Sequence, residues 1–323
     1  MFINNIEAIN SSVIFQKISN FLDIENAYIK FEGLNIAGSI KLKTAKYLID
    51  NLEQKHNISP DKNTIIESSS GNLGIALSIV CKSKKYKFIC VTDPNTLPIT
   101  EKYMRIYGAE IIKVTTRDQA GGFLSKRIEL IHSLLKEDNN LVWTNQYASQ
   151  SNVTAHYETT AKEIFESFPC LDYLFVGAGT TGTLVGCAKF FSQYSPKTKI
   201  IAVDNKGSVT FDFPAALRYI PGLGTSRKPE IVSLDNIYKV IVVPEEETVI
   251  MCNKLAREYG LFLGGSSGTV LYAAKQYLDS LNKKDISVVV ISPDFGEKYI
   301  ETVYNPEWVE EKFGLSTRNR AFI

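Results

Sequence analysis

Ser68-Ser69-Ser70-Gly71-Asn72-Leu73-Gly74 is the stretch on which the fold turns. It follows a short apolar run and an acid, Ile65-Ile66-Glu67. It leads into Ile75-Ala76-Leu77-Ser78-Ile79-Val80, which is apolar and helix-forming. A strand stops here and a helix starts. The first turn of a helix carries unpaired backbone N–H groups and a partial positive charge, so it suits a carboxylate or phosphate. Gly71 and Gly74 let backbone approach a ligand, and Ser69, Ser70 and Asn72 add donors. One serine would serve as an ordinary N-cap. Three serines with Gly-Asn exceed that need, and an anion site is expected.

Upstream, Ala27-Tyr28-Ile29-Lys30-Phe31 reads as a strand. Gly38-Ser39-Ile40-Lys41 reads as the entry to a helix with Ala45, Leu48, Ile49 and Leu52 on one face. Lys41 stands at the start of that helix, where the dipole disfavours a cation. An unprotonated or covalently engaged lysine escapes that penalty, and a Schiff base with an aldehyde cofactor is one such state. The alternative is a solvated lysine, which is the reading given to Lys43 and Lys46.

Further strand-like runs alternate with helical patterns. They are Lys87-Phe88-Ile89-Cys90-Val91, Ala109-Glu110-Ile111-Ile112-Lys113-Val114, Tyr173-Leu174-Phe175-Val176, Lys199-Ile200-Ile201-Ala202-Val203, Val240-Ile241-Val242-Val243 and Ile286-Ser287-Val288-Val289-Val290-Ile291. Most are continuous apolar runs, the mark of strands covered on both faces, hence of parallel sheets flanked by helices. Two sheet groups are expected, within residues 48–142 and 173–291. Residues 229–240 read as surface connection. No internal repeat or low-complexity run interrupts the chain.

The run ending at Val176 enters Gly177-Ala178-Gly179-Thr180-Thr181-Gly182, and Asp204 ends the next strand. This is the Gly-x-Gly-x-x-Gly fingerprint of dinucleotide sites, acid included, so an NAD-binding Rossmann protein is one reading. A monophosphate is the other, with Thr180, Thr181 and Thr183 supplying hydroxyls beside the helix N–H groups. NAD would leave Lys41, the serine-asparagine turn and Ser266 unexplained. Gly264-Gly265-Ser266-Ser267-Gly268 opens another helix, and by itself Ser266 reads as an N-cap.

Taken together, these stretches resemble a known family. Lys30-Phe31-Glu32-Gly33-Leu34-Asn35-Ile36-Ala37-Gly38-Ser39-Ile40-Lys41, followed by Ser69-Ser70-Gly71-Asn72, is similar to the cysteine synthase and cystathionine β-synthase family. These are fold type II enzymes that use pyridoxal 5'-phosphate (PLP). The likeness covers nearly the whole chain and recurs at Gln146-Tyr147, His156-Tyr157-Glu158-Thr159-Thr160, Gly179-Thr180-Thr181-Gly182-Thr183, Gly264-Gly265-Ser266-Ser267-Gly268 and Pro293-Asp294-Phe295-Gly296. Within the family the chain most resembles SbnA-type 2,3-diaminopropionate biosynthesis enzymes. That likeness lies in Gly121-Gly122-Phe123-Leu124 with Arg127, Asn145-Gln146-Tyr147-Ala148, Thr180-Thr181-Gly182, Lys206-Gly207-Ser208-Val209 and Pro221-Gly222-Leu223-Gly224-Thr225-Ser226-Arg227.

The resemblance implies an α/β protein of PLP fold type II (tryptophan synthase β-like), with two lobes, each a mainly parallel sheet flanked by helices. Residues 1–45 and 146–323 would form the large PLP-binding lobe and 46–145 a small mobile lobe. It implies that Lys41 carries the cofactor and moves the α-proton. Asn72 would meet the cofactor's 3′-oxygen, and Gly179, Thr180, Thr181, Gly182 and Thr183 its phosphate. Ser266 would face the ring nitrogen, where a neutral hydroxyl favours β-elimination over transamination. Ser69, Ser70 and Asn72, with Gln146, would take the substrate α-carboxylate. Arg127 would suit a phosphate-bearing donor, since arginine pairs with phosphate bidentately; a surface arginine is the alternative. Tyr147 stands where cysteine synthases usually carry phenylalanine, and would meet a polar second substrate or simply pack.

The implied activity is a PLP-dependent transferase reaction, β-elimination and replacement on an activated serine. O-phospho-L-serine and L-glutamate would give N-(2-amino-2-carboxyethyl)-L-glutamate, for 2,3-diaminopropionate in siderophore or peptide-antibiotic synthesis. Alternatives are a cysteine synthase using O-acetylserine or O-phosphoserine, and a non-catalytic PLP-binding relative. A homodimer is implied. The chain departs from the family pattern at Asn10-Ser11-Ser12-Val13 for Gly-x-Thr-Pro, Leu42-Lys43 for Asp-Arg, and Ala161 for a glycine.

Composition bounds the rest. With 323 residues, 44% hydrophobic and 22% charged, the chain is long and apolar enough for a large core. A net charge of +1 gives no general drive toward nucleic acid or anionic membranes. Five scattered cysteines without Cys-x-x-Cys fit reduced thiols in a cytoplasmic protein. His56, His132 and His156 form no zinc motif. Met1-Phe2-Ile3-Asn4-Asn5-Ile6-Glu7 lacks a basic leader region, and the apolar run around Ser287 is too short to cross a bilayer. A cytoplasmic enzyme without metal is expected.

Overall fold

The continuous apolar runs become the strands of two sheets. The computed structural model describes residues 13–118 and 122–315. Expectations on Met1 to Glu7, on Asn10-Ser11-Ser12 and on Gly121 lie outside them. The strands are β1 (Phe15–Lys17), β2 (Asn26–Phe31), β3 (Thr64–Ser68), β4 (Lys87–Thr92), β5 (Glu110–Lys113), β6 (Leu141–Trp143), β7 (Tyr173–Gly177), β8 (Lys199–Asn205), β9 (Lys239–Val243) and β10 (Ser287–Ser292). One sheet has the order β5-β4-β3-β6 and the other β1-β2-β10-β7-β8-β9. Every pairing is parallel except β1 with β2. β1 carries no continuous apolar run, and its residues are half-buried or exposed, so this antiparallel edge has no apolar signature to read.

The larger sheet is covered on both sides, as its composition requires. Phe175, Val288 and Val290 pack with Val270 and Leu271 of helix Gly265–Leu281. Their neighbours Leu174, Val176 and Val289 point the other way, onto Leu184 and Ala188 of helix Gly182–Tyr194. That is the period-two alternation of a strand with helices on each face. In the smaller sheet's core, Ala45, Leu48 and Ile49 of helix Lys41–His56 pack with Leu77 and Val80 of helix Asn72–Ser83 and with Ile65 of β3. The carboxyl ends of β3, β7 and β10 border one cavity, as expected for a ligand site in a parallel α/β protein.

Lys43 corrects the sequence reading. It is 5% exposed, not solvated. Its ammonium lies 2.9 Å from Glu32 and 2.7 Å from Glu163, and Lys30 pairs with the same two acids at 2.6 and 2.7 Å. This network ties β2 to helix Lys41–His56 and helix Lys162–Ser167. Lys46 does lie at the surface, paired with Asp50. Ala161, in place of a glycine, is fully buried against Ile164 and Leu184. Among the described residues no helix is long and apolar enough to cross a membrane, no group of acids, histidines or cysteines is arranged for a metal, and all five cysteines are free thiols.

Candidate active site

Lys41 is the first residue of its helix and lines the cavity. Burial alone pushes its ammonium down to about 8 from 10.5. Lys43, two residues on, has two acids beside it; Lys41 has none acting on it. Desolvation without a counter-charge favours a neutral amine, the form that attacks a carbonyl carbon or accepts a proton.

The turn after β3 is partly self-satisfied. Ser69 Oγ accepts the N–H groups of Gly74 at 2.9 Å and Gly71 at 3.3 Å, so this serine satisfies a first-turn N–H of the helix that Asn72 begins, while the N-cap position itself is Gly71. Ser68 is buried with its hydroxyl unpartnered. Asn72 donates its amide to Asp294 at 2.8 Å, and Asp294 also accepts from Tyr299 at 2.7 Å. Gln146 donates to the Ser68 carbonyl at 3.1 Å. Glu67 anchors both sides of this arrangement. Fully buried, it accepts from the N–H groups of Ser68 and Gln146 at 2.6 and 3.0 Å, from Thr144 at 2.5 Å and from Trp143 at 3.0 Å. Burial raises its carboxyl above the ordinary value against those bonds.

The turn after β7 is left open. Helix Gly182–Tyr194 starts with no side-chain cap. Thr181, just before it, sits at φ 68°, a region a β-branched residue rarely occupies. Its hydroxyl is buried and without a partner. Thr180 accepts from Asn152 at 3.0 Å, and Thr183 lines the same cavity. Gly182 has no room for a side chain, since a Cβ would run into Asn152. Ser266 also lines the cavity, in the first turn of helix Gly265–Leu281, but the cap position belongs to Gly264. Its neighbour Ser267 faces inward, hydrogen-bonded to Ser292 at 2.8 Å.

Arg127 and Tyr147 both line the cavity and are 6% and 8% exposed, so neither is a surface side chain. Arg127 has Asp93 at 3.4 Å, while its Nε and Nη1 hold no hydrogen bond. Tyr147 packs on Leu124 and Ile128, and burial raises its phenol. The cavity therefore brings together Lys41, Ser69, Ser70, Asn72, Arg127, Gln146, Tyr147, the Gly179 to Thr183 turn and Ser266. Sequence reasoning missed Lys298 and Tyr299 as members, and Asp294 behind them as the acceptor of Asn72 and Tyr299. The Pro293-Asp294-Phe295-Gly296 stretch was the available signal. Asp204 lies outside this cavity: it is fully buried, accepts from the Asn205 N–H at 2.8 Å, and is raised to about 6 by burial.

The residues present fit PLP. An uncapped helix start with an orphaned threonine hydroxyl suits a phosphate monoester, and an unpaired lysine whose value burial has lowered suits an aldehyde. The comparisons with known proteins agree. Residues 13–294 match the family model described as pyridoxal-phosphate dependent enzyme. The chain belongs to that family, which sets aside the NAD reading. A curated relative from Cupriavidus metallidurans, N-(2-amino-2-carboxyethyl)-L-glutamate synthase, is 37% identical over 94% of this chain and 90% of its own length. An O-acetylserine-dependent cystathionine β-synthase structure from Helicobacter pylori matches with TM-score 0.86 and 28% identity, over 94% of this chain and all of that one. A hydrogen sulfide-producing enzyme from Fusobacterium nucleatum matches with TM-score 0.85 and 30% identity, over 92% of this chain and all of that one.

Proposed function

We propose that this chain is an N-(2-amino-2-carboxyethyl)-L-glutamate synthase, a PLP-dependent enzyme that joins O-phospho-L-serine and L-glutamate and releases phosphate. The observation that carries the reading is the 37% identity to the Cupriavidus synthase along nearly the full length of both chains. In the reaction the donor's Cβ–O bond breaks, a Cβ–N bond forms to the glutamate amine, and phosphate leaves. Bound PLP supplies an electron sink for the α-carbon of the donor.

The chain's own residues do the rest. Lys41, its amine lowered to about 8 by burial, takes the donor's α-proton and returns it. The N–H groups opening helix Gly182–Tyr194, with Thr180, Thr181 and Thr183, hold the cofactor phosphate, and Gly179 keeps the approach open. Asn72, its amide aimed by Asp294, meets the cofactor's 3′-oxygen, and Ser266 meets the ring nitrogen. Ser70, Gln146 and the turn at Ser69 receive the donor's α-carboxylate. Arg127 places a fixed cation near the departing phosphate. A small lobe of residues 46–145 closing on the remainder, a homodimer and a cytoplasmic location belong to the same proposal, on the strength of family membership.

The test is product identification by mass with O-phosphoserine or O-acetylserine against glutamate or sulfide. Phosphate release coupled to the glutamate adduct is expected. Cysteine from O-acetylserine and sulfide, with glutamate ignored, overturns the assignment in favour of a cysteine synthase. Borohydride should also fix the cofactor to the peptide position of Lys41 and leave Lys43 and Lys46 free.

A further inference from the structure

The cavity around Lys41 adjoins a second chamber. Ser70, Arg127 and Tyr147 border both, whereas Arg218 borders only the outer one. Arg218 sits in a built position. Glu245 accepts the N–H groups of Tyr219 and Ile220 at 2.7 and 2.9 Å, which pins the chain beside it. Its Nη1 donates to the Leu223 carbonyl at 3.1 Å. Gly224, at φ +71°, leaves the space: a Cβ there would run into Nη1. The loop is locked further by Ser208, whose hydroxyl accepts the Thr225 N–H at 3.1 Å. Nε of Arg218 is buried and holds no hydrogen bond. Asp204 and Glu245 act on the guanidinium only through space, and among the described residues no acid forms an ion pair with it.

We infer that Arg218 selects the second substrate by binding its side-chain carboxylate. The inference rests on the synthase reading above. The incoming amine must reach the inner cavity beside Lys41, and the α-carboxylate stays next to that amine. The side-chain carboxylate is carried outward on its methylene chain, toward the outer chamber where Arg218 stands. A half-buried guanidinium whose shielded Nε holds no hydrogen bond and which has no carboxylate partner is poorly satisfied, and an incoming carboxylate gives it charge-assisted bonds. The two arginines then divide the work. Arg127, bordering the inner cavity, serves the departing phosphate; Arg218 serves the acceptor.

The experiment compares holoenzyme of wild type, Arg218→Gln and Arg218→Lys with O-phosphoserine as donor. Glutamate and its neutral isostere glutamine are the amines. Arg218→Gln should lose roughly 10- to 100-fold in kcat/KM for glutamate, chiefly through KM, and much less for glutamine. Arg218→Lys should recover part of the loss. Single-turnover phosphate release without amine reports the donor site separately. Equal losses for both amines, or an equal loss in that donor step, overturn the inference and leave Arg218 a loop-holding residue. A wild type that uses glutamate beside an indifferent Arg218→Gln sinks the inference alone; a wild type that ignores glutamate sinks the synthase reading with it.

Discussion

Two strand-to-helix turns border the same cavity, and each leaves a helix start to be satisfied. After β3, Ser69 turns its hydroxyl back onto the N–H groups of Gly71 and Gly74. After β7, nothing caps the helix, Thr181 holds a left-handed backbone, and its hydroxyl is buried alone. The first turn meets part of its own need without a ligand, although the Ser68 hydroxyl stays unpartnered. The second holds a β-branched residue in left-handed backbone and a buried unpaired hydroxyl, a need that an anion in the cavity meets. Similar composition, hydroxyls and glycines at a helix start, thus yields one turn that is partly self-satisfied and one that is left open.

The largest expected effect comes from removing the covalent anchor while keeping both turns. Lys41→Ala should lower turnover by roughly 10³-fold or more, since both nucleophile and base are gone. It should still retain PLP through the turn after β7, read as absorbance surviving dialysis. Complete loss of the cofactor would mean that the second turn contributes little by itself, and the contrast between the turns would fail.

Gly182→Ala strikes the open turn directly. The added Cβ runs into Asn152, which also holds Thr180 and the Gln146 carbonyl. A loss of about 1–3 kcal/mol in urea unfolding is expected from such overpacking, together with weaker PLP binding by titration. Unchanged PLP affinity would remove Gly182 from the phosphate cradle.

Lys41 supplies a pH test at a third helix start. Its folded-state value, about 8, lies below the ordinary 10.5. Between those values the unfolded chain binds more protons, so stability of the cofactor-free protein rises with pH there. Below about pH 8 the cost of the buried charge is fully present. Lys41→Met should therefore stabilise the cofactor-free protein at pH 7 by about 1–3 kcal/mol. The advantage should shrink as pH climbs from about 8 toward 10.5. Denaturant midpoints at pH 7 and 9.5 measure this; an advantage that grows with pH contradicts the assignment.

Legibility in the sequence followed the range of the interactions. Parallel strands announced themselves because a strand buried on both faces needs a continuous apolar run, and β3, β4, β7, β8 and β10 all have one. The Lys41, Ser69 and Thr181 segments were readable because each combines a local backbone change with unusual polar residues. β1 was silent because an edge strand needs no apolar signature. Lys43 was misread because its partners Glu32 and Glu163 lie 11 and 120 residues away. Which serine of the pair Ser266 and Ser267 borders the cavity depends on Ser292, again a distant partner. Arg218 was passed over for the same reason: Glu245 and Gly224 make its position, and neither advertises an arginine.

The finest test sets two small effects of opposite sign against each other. Ser69→Ala removes the acceptor of two N–H groups at a helix start and should cost about 1 kcal/mol, with or without PLP. Thr181→Gly removes a β-branched residue from a left-handed backbone, a relief of about 1–2 kcal/mol. Glycine's freedom in the unfolded chain offsets about 0.4–1 kcal/mol of that gain. The cofactor-free Thr181→Gly protein should therefore melt slightly higher than wild type. The same variant should bind PLP roughly tenfold more weakly, because a hydroxyl bond to a charged phosphate is lost. Thr181→Ser separates the two terms, keeping the hydroxyl while removing the β-methyl. If Thr181→Gly melts lower without PLP, the left-handed backbone at Thr181 is not a stored cost. If Ser69→Ala melts lower only with PLP bound, Ser69 does not hold the turn after β3 on its own, and the distinction between the two turns collapses.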